Sequence, residues 1–283
     1  VGSIYAITGK SQVIDESCMT TFSSWGPTDD GRIKPDLVAD GVHMLSMDGA
    51  SDTAYDWLGG TSMSCPVVTG AVACLTQLFH QRFQGADPAA SMMKGLLIHT
   101  ARHGGAGRGP NYRFGWGLLD ARAAADFITA LGRGGTWLDR DAIADESAEY
   151  ACESNGQGAI KVTLAWTDWP GIPTSGNIQY DIPNLVNDLD LSITGPDGNH
   201  YPWTLDPEHP ADPARQDREN HRDNVEQVYI EAPASGTYII RVGGQVNAGD
   251  QQTYDLCVTG LRRRGNYPAL CILKPFNQSL IEG

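Results

Sequence analysis

Apolar positions in the first half of the chain recur at three- and four-residue spacing. From Ser62 to Phe83, the residues Val68, Ala71, Val72, Leu75, Leu78 and Phe79 keep that rhythm, and small residues occupy much of the remainder. The pattern predicts one long helix, apolar on most sides and therefore expected to be buried. Asp87-Pro88 reads as a second helix start, running through Met92, Met93, Leu96, Leu97 and Thr100 to a glycine-rich stretch, Gly104 to Gly109. An alanine-rich segment after Asp120 predicts a third helix to Leu131, with Gly132 as its stop. Val1 to Thr8 alternates and is β-branched enough to be a strand, and it begins with no turn or capping residue ahead of it.

From Gly134 the period shifts from that of a helix to that of a strand. Short strands are predicted at Ala159–Trp166, Leu189–Thr194, Val225–Ala232, Thr237–Val242 and Thr253–Thr259, separated by turns such as Gly195-Pro196-Asp197-Gly198. Regularly spaced strands without helices predict a β-sandwich or jelly roll. The chain thus divides into residues 1–133, of α/β character, residues 134–261, all-β, and a tail, residues 262–283, whose Arg262-Arg263-Arg264 reads as part of a solvated extension.

Composition narrows the function classes. A chain of 283 residues with 41% hydrophobic content, 33 Gly and 16 Pro is globular and rich in loops. Its formal net charge of −14 argues against nucleic acid or an anionic membrane surface as a partner. No apolar run is expected to span a bilayer, and the first residues lack the charged start of a signal peptide. The six cysteines, Cys18, Cys65, Cys74, Cys152, Cys257 and Cys271, lack the close spacing of a zinc site. Cys65 and Cys74 are too far apart along one helix to bond each other. Cys152 and Cys257 lie in strand-like segments and could face each other, so that pairing is left open.

The strongest local signal is Gly59-Gly60-Thr61-Ser62-Met63-Ser64-Cys65-Pro66-Val67-Val68-Thr69-Gly70. Two glycines permit a close backbone approach, and the proline falls in the first helical turn. Ser62 is therefore placed at a helix N-terminus, where free N–H groups and the dipole favour an alkoxide or an acyl oxyanion. The plain reading is an N-cap serine. The string resembles the nucleophile segment of the subtilisin-like serine proteases, and by that resemblance Ser62 is the nucleophile, with Gly60, Thr61 and Met63 as its neighbours around the oxyanion site. The lipase-type Gly-x-Ser-x-Gly elbow is not matched.

Other segments follow the same family in order. Phe22-Ser23-Ser24-Trp25-Gly26-Pro27, Lys34-Pro35-Asp36 and Gly115-Trp116-Gly117-Leu118 all have counterparts there, although Asp40 stands where the family's Ala-Pro-Gly has proline. The resemblance implies that residues 1–133 are the C-terminal portion of a doubly wound parallel-sheet α/β domain. The strings Leu185 to Leu191, Asp223 to Glu226 and Ala232 to Tyr238 resemble the C-terminal β-barrel of secreted alkaline subtilases, implying an extracellular location.

In this family the catalytic order is Asp, His, Ser. The resemblance thus implies that the Asp, the His and the oxyanion Asn lie on a missing or separate N-terminal segment or chain, leaving this chain inactive alone. None of the seven histidines, His43, His80, His99, His103, His200, His209 and His221, sits in a matching context. The expected activity is endopeptidase cleavage of a polypeptide substrate without a catalytic cofactor. A non-catalytic binding fragment and an acyl-transferring ligase or cyclase remain alternatives. Met63 implies a liability to oxidation beside the nucleophile.

Alternation places Asp188 and Asp190 on one strand face, with Asp181 and Asn187 near in sequence. A solvated strand face is the plainer reading. A structural calcium ion held by Asp188 and Asp190 is the alternative, which related proteases keep open.

Overall fold

The computed structural model describes residues 1–5, 14–144, 146–173, 182–265 and 270–271. Within the first part, β1 (Gly2–Ile4) pairs in parallel with β2 (Val38–Asp40), and Val38 bridges in parallel to Leu118. The hairpin of β3 (Met44–Met47) and β4 (Tyr55–Leu58) leads into helix α1 (Thr61–Arg82). Two further helices follow, α2 (Ala90–Thr100) and α3 (Ala121–Ala130). The three helices therefore match the sequence periodicity closely, whereas the β3–β4 hairpin was not anticipated. Of the expected doubly wound sheet, the described residues contain the β1–β2 pair and its extension at Leu118. The second half of the predicted strand Val1–Thr8 and most of the tail lie outside the described residues.

Helix α1 departs from expectation. Within it only Ser64, Leu75 and Phe79 are buried, because the described residues cover just the flank that meets β1, β2 and α3. Its 22 residues also include an 18-residue window of mean hydropathy 1.4, long and apolar enough to cross a membrane, contrary to the expectation of no such run. The apolarity comes chiefly from Val67, Val68, Val72, Leu75, Leu78 and Phe79, with small residues such as Gly70, Ala71 and Ala73 between them.

The second part is a sandwich. It comprises β5 (Trp137–Ile143), β6 (Ala148–Asn155), β7 (Ile160–Trp166), β8 (Asn187–Gly195), β9 (Gly198–His200), β10 (Val225–Ile230), β11 (Ser235–Val246), β12 (Gln252–Thr259), β13 (Arg262–Arg263) and β14 (Leu270–Cys271). One sheet runs β10-β7-β12-β5-β14 and the other β13-β6-β11-β8-β9. All pairings within them are antiparallel except β14 with β5. Alternate residues of the two sheets, including Val162, Leu164, Leu191, Ile193, Ile240 and Leu256, meet in one apolar core.

Alternation along β12 decides the cysteine question. Tyr254, Leu256 and Val258 face the sandwich core, whereas Cys257 faces the other way, into a cluster with Leu96, Leu97 and Phe127. Cys152 lies inside the sandwich. The two thiols therefore sit on opposite faces of a sheet, and both are free.

Helix α2 joins the parts by lying on the outer face of β7 and β12. Its N-terminal Ser91 donates to the buried Asp255 at 2.6 Å, and Arg140 donates to the same carboxylate at 2.9 Å. At its C-terminal end His99 is enclosed, with Nδ1 2.9 Å from Thr163 Oγ1 and Nε2 3.3 Å from Thr259 Oγ1. Burial, reinforced by the nearby Lys161 charge, holds the His99 imidazole well below its ordinary value of 6.5. His99 is therefore neutral when folded and takes up its proton on unfolding. As pH falls below about 6.5 the unfolded chain binds more protons than the folded one, so stability declines in that window. Denaturant unfolding measured from pH 7.5 to 5 is expected to show this slope, and His99→Gln is expected to flatten it.

Candidate active site

The β4 strand ends at Leu58, and Gly60 is the N-cap of α1, with no side chain capping that end. The Gly60 N–H donates to the Gly41 carbonyl at 2.7 Å, and the Gly60 carbonyl accepts from Met63 and Ser64 at 3.0 and 3.3 Å. This ties the turn to the chain just beyond β2. The N–H groups of Thr61 and Ser62 have no acceptor among the described residues. Ser62 is exposed, Thr61 and Met63 are half-buried, and Ser64 is buried. An exposed hydroxyl at a helix N-terminus with open N–H groups is the arrangement needed to stabilise negative charge on a neighbouring oxygen.

Small residues allow this geometry. Ser64 and Ser3 are fully buried, with neither hydroxyl paired among the described residues. A Cβ at Gly41 would overlap both of these hydroxyls and stand 2.6 Å from the Gly60 carbonyl oxygen. The Asp40 carboxylate accepts the Val42 N–H at 3.1 Å, an Asx turn that shapes the chain here.

No histidine or carboxylate hydrogen-bonds to Ser62 among the described residues. His80 pairs with Asp87 at 2.5 Å, His200 with Asp197 at 3.1 Å, His209 with Asp206 at 2.9 Å and His221 with Asp188 at 2.8 Å. His99 is spent at the junction of the two parts, and burial lowers His103.

A second cluster lies on β8. Leu189, Leu191 and Ile193 point into the sandwich, and Asp188 and Asp190 share the opposite face, as alternation predicts. The structure adds His221, so that one ligand atom from each of Asp188, Asp190 and His221 lies within 4.8 Å of the others. It also adds Glu226 of β10, fully buried, which accepts the Leu191 N–H at 2.7 Å through one oxygen. Asp188 Oδ1, Asp190 Oδ1 and Glu226 Oε1 are buried without a hydrogen-bond partner among the described residues, although His221 Nδ1 lies 3.4 Å from Asp190 Oδ1. Desolvation, then the adjacent Asp188 charge, pushes Asp190 up to about 6, and desolvation raises Glu226 well above the usual carboxylate range. The fit is to a hard cation, which supplies the positive charge that these oxygens lack. Asn187 drops out of the set because its amide is committed to Asn247, Ala248 and Gln252. Asp181 lies outside the described residues. The signal missed in the sequence is a glutamate among Val225, Val228 and Ile230, at a strand position that only the fold shows to be enclosed.

Comparison with known proteins shows what the chain is similar to. Residues 3–117 match the model of the Subtilase family. The serine protease/ABC transporter B family protein tagA of Dictyostelium discoideum is 26% identical over 284 residues, covering 88% of this chain and 16% of that protein. The C5a peptidase of Streptococcus pyogenes is 39% identical over 85 residues, covering 29% of this chain and 7% of that protein. A solved serine protease of Aeromonas sobria is similar at 14% identity and a TM-score of 0.32, over 88% of this chain and 56% of that one, too slight a superposition to carry structural argument. The chain spans less than a fifth of the length of either curated relative.

The contact at Gly41 is testable. Gly41→Ala is expected to cost about 1–3 kcal/mol in denaturant unfolding, through overpacking against Ser3, Ser64 and Gly60.

Proposed function

We propose, from the membership of residues 3–117 in the subtilase family, that this chain carries the nucleophile of a serine endopeptidase. The observation that carries the reading is Ser62, exposed at the start of α1 beside the open N–H groups of Thr61 and Ser62. In the reaction Ser62 Oγ attacks the scissile carbonyl carbon and its proton passes to a base. The oxyanion is held in part by the Ser62 N–H, with the Thr61 hydroxyl beside it. The base returns the proton to the departing amine, and water then cleaves the acyl ester. Gly60 keeps the backbone close, and Met63 packs over it.

The base is assigned to another segment. We place the catalytic Asp and His and the oxyanion Asn on an N-terminal segment or chain, a reading supported by the absence of any such partner to Ser62 among the described residues. The exposed flank of α1 is the surface that this segment would cover. The same observation favours a second reading in which the chain alone acts as a non-catalytic binding or assembly unit. Ligase or cyclase activity would use the same acyl ester with an amine in place of water.

A fluorophosphonate probe separates these readings, because it modifies only an activated serine. Applied to the complete assembly, it is expected to add one label at Ser62 by peptide mass, and Ser62→Ala is expected to abolish labelling and lower peptidase turnover at least about a thousandfold. An unlabelled assembly, indifferent to Ser62→Ala, would establish the binding unit.

For the β part, the strand orders β5-β12-β7-β10 and β6-β11-β8-β9 support a jelly-roll winding with a stabilising role. Asp188 and Asp190, joined by Glu226, would hold a structural calcium ion whose charge offsets theirs. We assign the protein to the extracellular space, where calcium is plentiful. Calcium is expected to raise the melting temperature of the chain by several degrees and chelation to reverse it, with Asp190→Asn losing most of the effect; scanning calorimetry provides the measurement.

A further inference from the structure

Between the loop that follows α2 and the outer face of β7 and β10 lies a cavity of about 300 Å³. That volume is at the small end of ligand sites. Its walls are aromatic and largely preformed. Trp116 and Trp203 are only 7% and 8% exposed, and Tyr229 of β10 adds a third ring. Gly109 lies flat on Trp203 with a φ of +78°, where a Cβ would come within 2.7 Å of the indole, so the loop and the ring hold each other in place.

Among the polar residues that line the cavity, with His103, Arg108, Gln227 and Glu231, Lys161 of β7 stands out. Its ammonium donates to the His99 carbonyl at the C-terminal end of α2, at 2.9 Å, and lies 5.8 Å from the centroid of the Tyr229 ring. An ammonium carries three donors, and the other two have no acceptor among the described residues. No carboxylate pairs with Lys161 there either. Glu231, the acidic residue lining this cavity, is taken by Arg108. Burial accordingly pulls the Lys161 ammonium below its ordinary value. Capping the last carbonyls of α2 accounts for one donor. It does not account for a cation without a carboxylate partner among the described residues, set over the Tyr229 ring in a cavity also lined by Trp116 and Trp203, in a chain whose net charge is −14.

We propose that this cavity binds a small monocarboxylate with an aromatic or apolar body, the carboxylate accepting from Lys161 and the body lying against Trp116, Trp203 and Tyr229. The incoming anion supplies the missing counter-charge in a partly desolvated setting, where a charge-assisted hydrogen bond is strongest. The aromatic walls exclude water from that bond and select against small hydrophilic anions such as acetate. This site is separate from Ser62 and does not depend on the peptidase reading.

The test is a titration of the 283-residue chain with 3-phenylpropanoate and, in parallel, with its uncharged amide, read by calorimetry and tryptophan fluorescence. Saturable binding of the acid is expected, with the amide at least about tenfold weaker. Lys161→Met is expected to lose a similar factor and Lys161→Arg to retain binding. Equal affinity for acid and amide, or no binding of the acid at 10 mM (roughly the weakest affinity a site of this kind would show), would overturn the proposal. So would undiminished binding of the acid by a folded Lys161→Met variant. The acid–amide comparison needs no substitution, so it decides the matter even if Lys161→Met fails to fold.

Discussion

Helix α2 is the constraint on which the rest of the structure depends, because it must satisfy two unlike surroundings at once. One flank packs against α3 and joins an apolar cluster with α1 through residues such as Leu96 and Leu97, and the other lies on β7 and β12. Each end is held by buried polar groups whose partners come from the β part. Ser91 and Arg140 share the Asp255 carboxylate at one end, and His99 with Thr163 and Thr259 closes the other. Such groups are costly to bury alone and stable only as complete sets, so they specify one docking of the two parts. Asp223 adds a further tie by accepting the Ile33 N–H at 2.7 Å across the junction.

That docking has consequences at a distance from it. It creates the cavity beneath Trp203, since Lys161 reaches the end of α2 only when β7 is pressed against the helix. It also leaves α1 supported on one flank. Ser62 thus stands at the end of a helix anchored by Ser64, Leu75 and Phe79, with its outer surface open to a covering segment. Ser62 is positioned by backbone alone, through Gly60 and Gly41, and as the proposed nucleophile it acquires reactivity only when a base is brought to it.

The acidic cluster on β8 follows a different logic. Glu226 reaches from one sheet to the Leu191 N–H of the other, and its buried carboxylate feels the charges of Asp190 and Asp188. His221 contacts both aspartates, Asp188 at 2.8 Å and Asp190 at 3.4 Å, and is itself half exposed. The buried oxygens remain short of positive charge, and this is the physical basis for proposing calcium there.

The sequence by itself determined the three helices, the change of period near Gly134, the strand faces of β8 and the identity of the Ser62 segment. These are local properties, set by residue spacing and by Gly and Pro at positions with one physical use. The helical period also predicted burial of α1, and there it failed, because periodicity reports which residues are apolar and not what lies against them. Only the tertiary structure decided that Cys152 and Cys257 face apart, that Glu226 and His221 join Asp188 and Asp190, and that Lys161 is left without a counter-ion. Each of these depends on which strands lie side by side and on how α2 packs across them, relations between residues about 30 to 160 positions apart that no local pattern encodes.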